Sequence, residues 1–276
     1  MGYYYEEERY KPSKFTVAII ALILIAVGYN AINMTIDRFG GGPKDTLTVG
    51  MNAPYEPFEV LRDGKVVGFD ADMAEKIGDR LGRKVTYKNF DSFGGVLPSL
   101  ETNATDVVIS AVSITPARSM AFDFSVPYFN SSQALLVPVG KTNFKGSGTL
   151  AAADFEGMRI GYQEKTTSQE WVETDLAGIT LAKNQSFADL DIAVQNMKMG
   201  AFDGVVMDSP VAEAYARDNP QYLAVAGTMG SEEQYGIAVR KGDPQNLLPE
   251  INAVIEEMKT NGEYDEMIKE HFGGEN

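Results

Sequence analysis

From Asp45 onward the chain alternates short buried-strand runs with helical stretches, and then starts the alternation again. Residues 47–51 read as a strand. Residues 60–67 read as a hairpin, because Asp63-Gly64 supplies the positive-φ positions of a tight primed turn. Asp70 suits the cap of a helix whose Met73, Ile77 and Leu81 fall on one face. Residues 85–87 form the next strand, 97–100 sit in a helix, and 106–113 make a third strand. Strands separated by helices predict a parallel sheet covered on both faces. The second round has strands at 134–137, 159–162 and 203–207, with Trp171, Leu176 and residues 190–197 in helical stretches. A last block, a strand at 235–239 and a helix from about Pro249, is too small to bury a core of its own. The chain therefore returns to its first lobe, which predicts two α/β lobes joined by two crossings. Ligands of such sheets sit at the carboxyl ends of the strands, here facing a shared cleft.

Two motifs stand at those strand ends. After the buried run Val107-Val108-Ile109 come Ser110, Ser113, Thr115, Pro116 and Arg118. Thr115 suits an N-cap and Pro116 the first helical position. Free backbone N–H groups and the positive end of the dipole then lie beside Arg118, whose planar fork can hold a carboxylate bidentately. Taken alone, the motif fits a capped surface helix with a solvated arginine equally well. In the second round, Met207-Asp208-Ser209-Pro210 leaves an anion at the end of a buried strand. Ser209 and Pro210 supply a cap and a first helical residue, which frees Asp208 for the cleft. Thr167-Ser168-Gln169-Glu170 is a capping-box pattern, hence a helix N-terminus from the second lobe. A cation, an anion and hydroxyls at one cleft predict a receptor for a zwitterion.

Other classes are excluded by what the chain lacks. Its formal charge of −15 argues against a nucleic-acid partner. The absence of cysteine removes a disulfide framework, a thiol nucleophile and a lipid-modified cysteine anchor. The single histidine, His271, sits in a terminal helix pattern and reads as a solvated surface residue. There is no metal-ligand spacing and no phosphate loop, so no cofactor and no enzymatic activity are expected. The N-terminus sets the compartment. Phe15 to Gly28 is apolar apart from Thr16, with Lys11 and Lys14 in front. Extended to Ile36, the stretch is long enough to cross a bilayer at about 1.5 Å per residue. The preceding lysines predict a cytoplasmic N-terminus and export of the rest of the chain. Ala26-Val27-Gly28 offers a cleavage site, so a removable signal peptide competes with a retained anchor. The length of the stretch and the Gly-rich spacer behind it favour the anchor.

Several segments resemble the extracytoplasmic amino-acid-binding proteins of ABC importers, solute-binding protein family 3. They are Ala53-Pro54-Tyr55-Glu56-Pro57-Phe58-Glu59, Gly68-Phe69-Asp70-Ala71-Asp72, Leu97-Pro98-Ser99-Leu100, residues 110–118, 122–128, 202–208 and 234–239, and the ending from Asn261 to Phe272. The resemblance runs from about residue 47 to 273. It implies two Rossmann-like α/β lobes joined by a two-crossing hinge (periplasmic-binding-protein-like, type II), preceded by one N-terminal transmembrane or signal helix. The division is then a cytoplasmic arm at 1–14, the signal-anchor or signal peptide at 15–36 and a linker at 37–45. Lobe 1 spans 46–132 and 234–276, and lobe 2 spans 133–233.

By the same resemblance, Arg118 clamps a ligand α-carboxylate, completed by Ser113 and the Thr166 and Thr167 loop. Asp208 takes the α-ammonium, helped by the backbone near Ser110 and Ala111, and Tyr55 and Phe93 pack on the ligand side chain. Asn52 stands where many relatives carry an acid, and Gln163 where a glutamine-binding relative has a lysine. With Met207 as an apolar neighbour, this implies a polar, uncharged amino acid of glutamine size, unless Glu56 turns inward to meet a basic one. The expected protein is a monomer working with ABC permease subunits and attached to the membrane through its N-terminal helix. Two alternatives share the fold. One is a cyclohexadienyl (arogenate or prephenate) dehydratase with Glu164 or Glu56 as proton donor; the other is a membrane-anchored amino-acid sensor. The hinges are expected near 129–132 and 232–234.

Overall fold

The structure, a computed structural model, describes residues 45–140 and 148–273. The expected arm at 1–14, the apolar segment at 15–36 and nearly all of the spacer lie outside the described residues. Among the described residues no helix is long and apolar enough to cross a membrane.

The first lobe begins with β1 (Thr46–Met51), which sends Leu47, Val49 and Met51 into the core. The hairpin β2 (Val60–Arg62) and β3 (Lys65–Val67) turns on Asp63 at φ 52° and Gly64 at φ 74°, as a primed turn requires. Helix α1 (Phe69–Leu81) buries Phe69, Met73 and Ile77 and stops at Gly82 in the left-handed conformation. Then follow β4 (Lys84–Asn89), α2 (Pro98–Glu101), β5 (Val107–Val108), α3 (Pro116–Ala121) and β6 (Phe122–Phe124). The expected third strand is thus only two residues long, because the chain beyond it turns into the cleft. Asp70 does not cap α1 either. Gly68 takes that position, and the buried Asp70 carboxylate accepts instead from the Ala111 N–H.

The second lobe contains β7 (Phe129–Pro138), β8 (Gly148–Thr149), β9 (Arg159–Gln163), α4 (Thr167–Thr174), β10 (Lys183–Phe187) and α5 (Leu190–Lys198). It ends with β11 (Gly204–Asp208), α6 (Ser209–Asp218) and β12 (Leu223–Tyr235). The chain then completes the first lobe with β13 (Ala238–Arg240), α7 (Leu248–Asn261) and α8 (Glu263–Phe272). The two sheets run β4-β1-β5-β13-β6 and β10-β9-β11-β7-β12-β8. Both are mixed, not parallel. β13 is antiparallel to β5 and β6, and β7 is antiparallel to β11 and β12. The reversed strands follow from connectivity, since each lies on a stretch that crosses between lobes or has just done so.

The crossings pair with each other. Phe129 faces Tyr235, Asn130 faces Gln234 and Ser131 faces Glu233, with a break in register between Met229 and Glu233. Aromatic rings fix their base: Phe129 lies 4.9 Å from Phe272 and 5.0 Å from Phe58, and Phe58 lies 5.3 Å from Tyr235. Each such pair contributes about 0.5–1.5 kcal/mol beyond its burial. Gly68 seats Phe58 beneath them. Its φ is 126°, and a Cβ there would lie 2.3 Å from the Phe58 carbonyl oxygen. Gly68→Ala is therefore expected to destabilise the protein by about 2–3 kcal/mol. Urea unfolding checks this, and an unchanged midpoint would refute the close approach.

Candidate functional site

Between the lobes lies a narrow pocket with about 20 Å³ of free volume, lined by eleven residues. The first lobe supplies Asn52, Tyr55, Phe93, Ser110, Ala111, Ser113 and Arg118; the second supplies Gln163, Thr166, Thr167 and Asp208. The eleven residues expected to contact the ligand are thus brought to one place.

Arg118 sits in the first turns of α3, where the Thr115 hydroxyl caps its N–H at 3.1 Å. Its guanidinium lies 5.3 Å from the centre of the Phe93 ring and donates to the carbonyls of Ser113 at 2.9 Å and Lys165 at 3.3 Å. The second contact crosses to the other lobe. No carboxylate hydrogen-bonds this cation among the described residues. Burial lowers its pKa, against the opposing pull of the Asp208 and Glu233 charges.

Asp208 ends β11. It occupies the N-cap position of α6, which begins one residue earlier than expected, yet its side chain caps nothing. Instead Oδ2 accepts from the hydroxyls of Tyr55 and Tyr235, both at 2.6 Å, and Oδ1 accepts from Gln133 at 2.7 Å. All three donors are neutral. Burial, followed by the Glu233 charge, lifts its pKa to about 6, while the three hydrogen bonds work to lower it. Burial also raises both tyrosines well above their ordinary value, so they stay phenols and donors.

The capping pattern on α4 is displaced by one residue. Thr166 is the N-cap, accepting from the Gln169 N–H, while the Gln169 side chain accepts from the Lys165 N–H. Thr167 is thereby free to donate to Glu233 Oε2 at 2.8 Å, and Ser113 donates to the same oxygen at 2.5 Å. Gln133 donates to Glu233 Oε1 at 2.8 Å. A hydroxyl has one proton to give, so Glu233 holds the hydroxyls expected to serve a ligand carboxylate. Glu233, Gln133 and Tyr235 were not singled out in the sequence as site residues. The signal was period two along the crossings: Glu233 and Tyr235 share one face of β12, as Ser131 and Gln133 do on β7.

At the far end, Gln163 donates to Asn52 Oδ1 at 2.8 Å and to the Ala188 carbonyl, while Asn52 donates to the Phe90 carbonyl at 2.7 Å. This neutral amide pair bridges the lobes. Met207 does not line the pocket and belongs to the core. Glu56 points away, ion-paired with Arg62 at the surface, and neither it nor Glu164 lines the pocket. His271 is not solvated. Its side chain is 16% exposed and hydrogen-bonds to Asp72 at 2.6 Å.

The model of the bacterial extracellular solute-binding proteins, family 3, matches residues 47–274. A probable histidine-binding protein of Campylobacter jejuni is 30% identical over 266 residues, which is 93% of this chain and 96% of the relative. An ancestral arginine-binding protein solved with arginine is 39% identical, with a TM-score of 0.75 over 84% of this chain and 100% of that one. An ancestral arginine-binding protein solved with glutamine is 40% identical, with a TM-score of 0.74 over 84% of this chain and 99% of that one. The ancestral amino acid-binding protein AncCDT-1, a precursor of cyclohexadienyl dehydratase, is 33% identical, with a TM-score of 0.73 over 83% and 95%.

The lifted pKa of Asp208 has a direct consequence for stability. A carboxyl that titrates higher in the folded chain than in the unfolded one contributes its full stabilisation in acid and loses it as pH rises through the folded value. Relative to Asp208→Asn, the wild type should therefore lose stability between about pH 4 and about pH 6. Melting curves of the two proteins across that window check the sign, and parallel profiles would contradict it.

Proposed function

Because the chain belongs to the bacterial extracellular solute-binding proteins of family 3, we propose that it captures a polar, uncharged L-amino acid of glutamine size between its lobes and delivers it to the permease subunits of an ABC importer. One observation carries this reading. The pocket holds a cation and an anion on opposite lobes, each hydrogen-bonded only to neutral groups. A zwitterion supplies both missing counter-charges at once. Arg118 takes the α-carboxylate, together with the main-chain N–H groups opening α4 at Thr167, while Ser113 and Thr167 hold Glu233 beside it. Asp208 takes the α-ammonium, and the carbonyls at Ser110 and Ala111 accept its remaining hydrogens. Tyr55 and Phe93 pack on the ligand side chain, which ends against Asn52 and Gln163. The neutrality of that amide pair supports an uncharged ligand over a basic one. The protein acts outside the cytoplasm as a monomer, held to the membrane by the segment at 15–36.

Dehydration of arogenate or prephenate needs a cleft acid placed as a proton donor. Glu56 and Glu164 stand outside the pocket, and Asp208 is committed to three donors. This supports capture over catalysis.

Isothermal calorimetry with the common amino acids and arogenate tests the proposal. L-Glutamine should bind more tightly than L-arginine or L-histidine, and arogenate should be neither retained nor turned over. Arg118→Ala should weaken binding by about 2–5 kcal/mol without unfolding the protein. Arg118→Lys should also be severely impaired, because a point charge cannot reproduce the fork. Near-native affinity in Arg118→Ala would remove the carboxylate clamp, and tighter binding of arginine would overturn the uncharged ligand. Since the two charges sit on different lobes, ligand should favour a closed form. Small-angle scattering should show a smaller radius of gyration with saturating ligand, and an unchanged radius with binding confirmed would mean a rigid, preformed site.

A further inference from the structure

Glu59 and Asp70 have no solvent exposure at all, both 0%, and neither has a cation as hydrogen-bond partner. Glu59 closes the loop that carries Tyr55, and Asp70 lies in the first turn of α1. Each is half satisfied. Glu59 Oε1 accepts from the Ser110 hydroxyl at 2.5 Å. Asp70 Oδ2 accepts from the Ala111 N–H at 2.7 Å and from the Tyr128 hydroxyl at 3.1 Å. The remaining oxygens, Glu59 Oε2 and Asp70 Oδ1, are the two buried side-chain atoms left without a partner among the described residues. Each of the two carboxyls acts directly on the other's ionisation. Two acceptors cannot bond to each other, and an orphaned buried acceptor costs about 1–3 kcal/mol. One proton between them removes both defects.

We propose that Glu59 and Asp70 share a single proton, carried on Glu59 Oε2 and donated to Asp70 Oδ1, and that the singly charged pair positions the Ser110–Ala111 corner of the amino-acid pocket. Every bond then has a donor and an acceptor. The Asn52 N–H donates to Ser110 Oγ at 3.1 Å, the Ser110 hydroxyl to Glu59, and Glu59 to Asp70. Asp70 in turn collects Ala111 and Tyr128. The chain ties three pocket residues to the foot of the first crossing. Ala111 needs such a tie: its φ is 45°, the left-handed region that an L-residue enters at about 1–2 kcal/mol. A charged acceptor on its N–H holds it there, and so aims the carbonyls assigned to the ammonium.

The assignment of the proton to Glu59 follows from the neighbours. Around Asp70 stand the Ala111 N–H, the Tyr128 hydroxyl and Glu59, with His271 of α8 at longer range, and all of them favour its carboxylate. Burial nonetheless lifts Asp70 to about 6. Around Glu59 stand Ser110, which favours the anion, and Asp70, which opposes it; burial and the Asp70 charge carry Glu59 well above its ordinary value. Neither acid lines the pocket. They are positioning residues.

The pocket role rests on the amino-acid reading, whereas the shared proton does not, so the test has separate arms. At about pH 8, above the value near 6 of Asp70 and Asp208, the infrared spectrum of the wild type should keep one protonated-carboxyl band. Glu59→Gln, whose amide can donate and accept in the same places, should lack it. Relative to Glu59→Gln, wild-type stability should fall as pH rises from about 4.3 toward the raised value of Glu59, because the unfolded chain releases that proton first. For the pocket, Glu59→Ala should weaken L-glutamine binding by about tenfold or more, and Glu59→Gln should recover most of the loss. A wild type without the band, or a band that survives in Glu59→Gln, overturns the shared proton. Equal binding by wild type and Glu59→Ala overturns the positioning role. A wild type that binds no amino acid removes that role along with the functional reading, and leaves the infrared result to decide the proton.

Discussion

A carboxylate at the inner end of a central strand is tolerable in a dry interior only if several elements bring it donors. Asp208 receives them from three. Tyr55 comes from the first lobe, Gln133 from the outgoing crossing and Tyr235 from the returning one. The anion at the end of β11 therefore constrains the register of the hinge. Tyr235 points at Asp208 because it sits opposite Phe129; a slip of one residue would turn it to the other face and present Gln234 instead. The ring stack of Phe58, Phe129 and Phe272 beneath the crossings resists such a slip. Hinge, core and pocket thus share one constraint.

The contacts that join the lobes across the pocket are of a different kind. They include Arg118 to the Lys165 carbonyl at 3.3 Å, Gln163 to Asn52 at 2.8 Å, and the Ser113 and Thr167 hydroxyls 3.5 Å apart. Hydrogen bonds between neutral groups contribute about 0.5–1.5 kcal/mol each, against about 1.5–3 for those made to a charge. These neutral or long bonds stand beside two short ones made to carboxylates, Tyr55 to Asp208 and Ser113 to Glu233, so that under the proposed function a charged ligand would add strong links where the weak ones now stand. Glu233 limits where that can happen. With the protons of Ser113 and Thr167 already directed at Glu233, the ligand carboxylate of the proposed function would meet the guanidinium fork and main-chain N–H groups, while the hydroxyls hold the hinge glutamate.

Much of this was legible in the sequence, and the reasons differ between fold and site. The order of elements could be read because strand runs such as 203–207 and helix patterns such as 190–197 are local signals. Strand direction could not. Whether β7 and β13 run with or against their neighbours depends on which lobe the chain has just left, and periodicity does not encode that. The pocket residues could be gathered because they stand at strand ends, where this architecture converges, and because they matched a family pattern position by position. Their hydrogen-bond partners were hidden. Thr167 passed as the cap until Thr166 took that position, one residue earlier, and Asp70 passed as a cap because its true partner, Ala111, lies 41 positions away. Glu233 was visible as an acid in a crossing, but its role emerges only when the two lobes meet over it.

The charges at the cleft also bear on which ligands can enter. Arg118 is acted on by two anions, the buried Asp208 and the less buried Glu233, both of which bear on its ionisation. One cation against two anions leaves the region acidic within a chain whose formal charge is −15. A zwitterion with an uncharged side chain adds no net charge. An acidic amino acid would bring a further anion into a poorly solvated space that already holds an excess of them, where like charges are screened weakly. Under the proposed function, exclusion of aspartate and glutamate would thus rest on the whole cleft and not on any one side-chain contact. Discrimination between neutral and basic ligands would be local by contrast under that proposal. It would fall to the end of the pocket where Asn52 and Gln163 satisfy one another as amides, and where an amide-bearing ligand could exchange hydrogen bonds with them without leaving a buried charge unpaired.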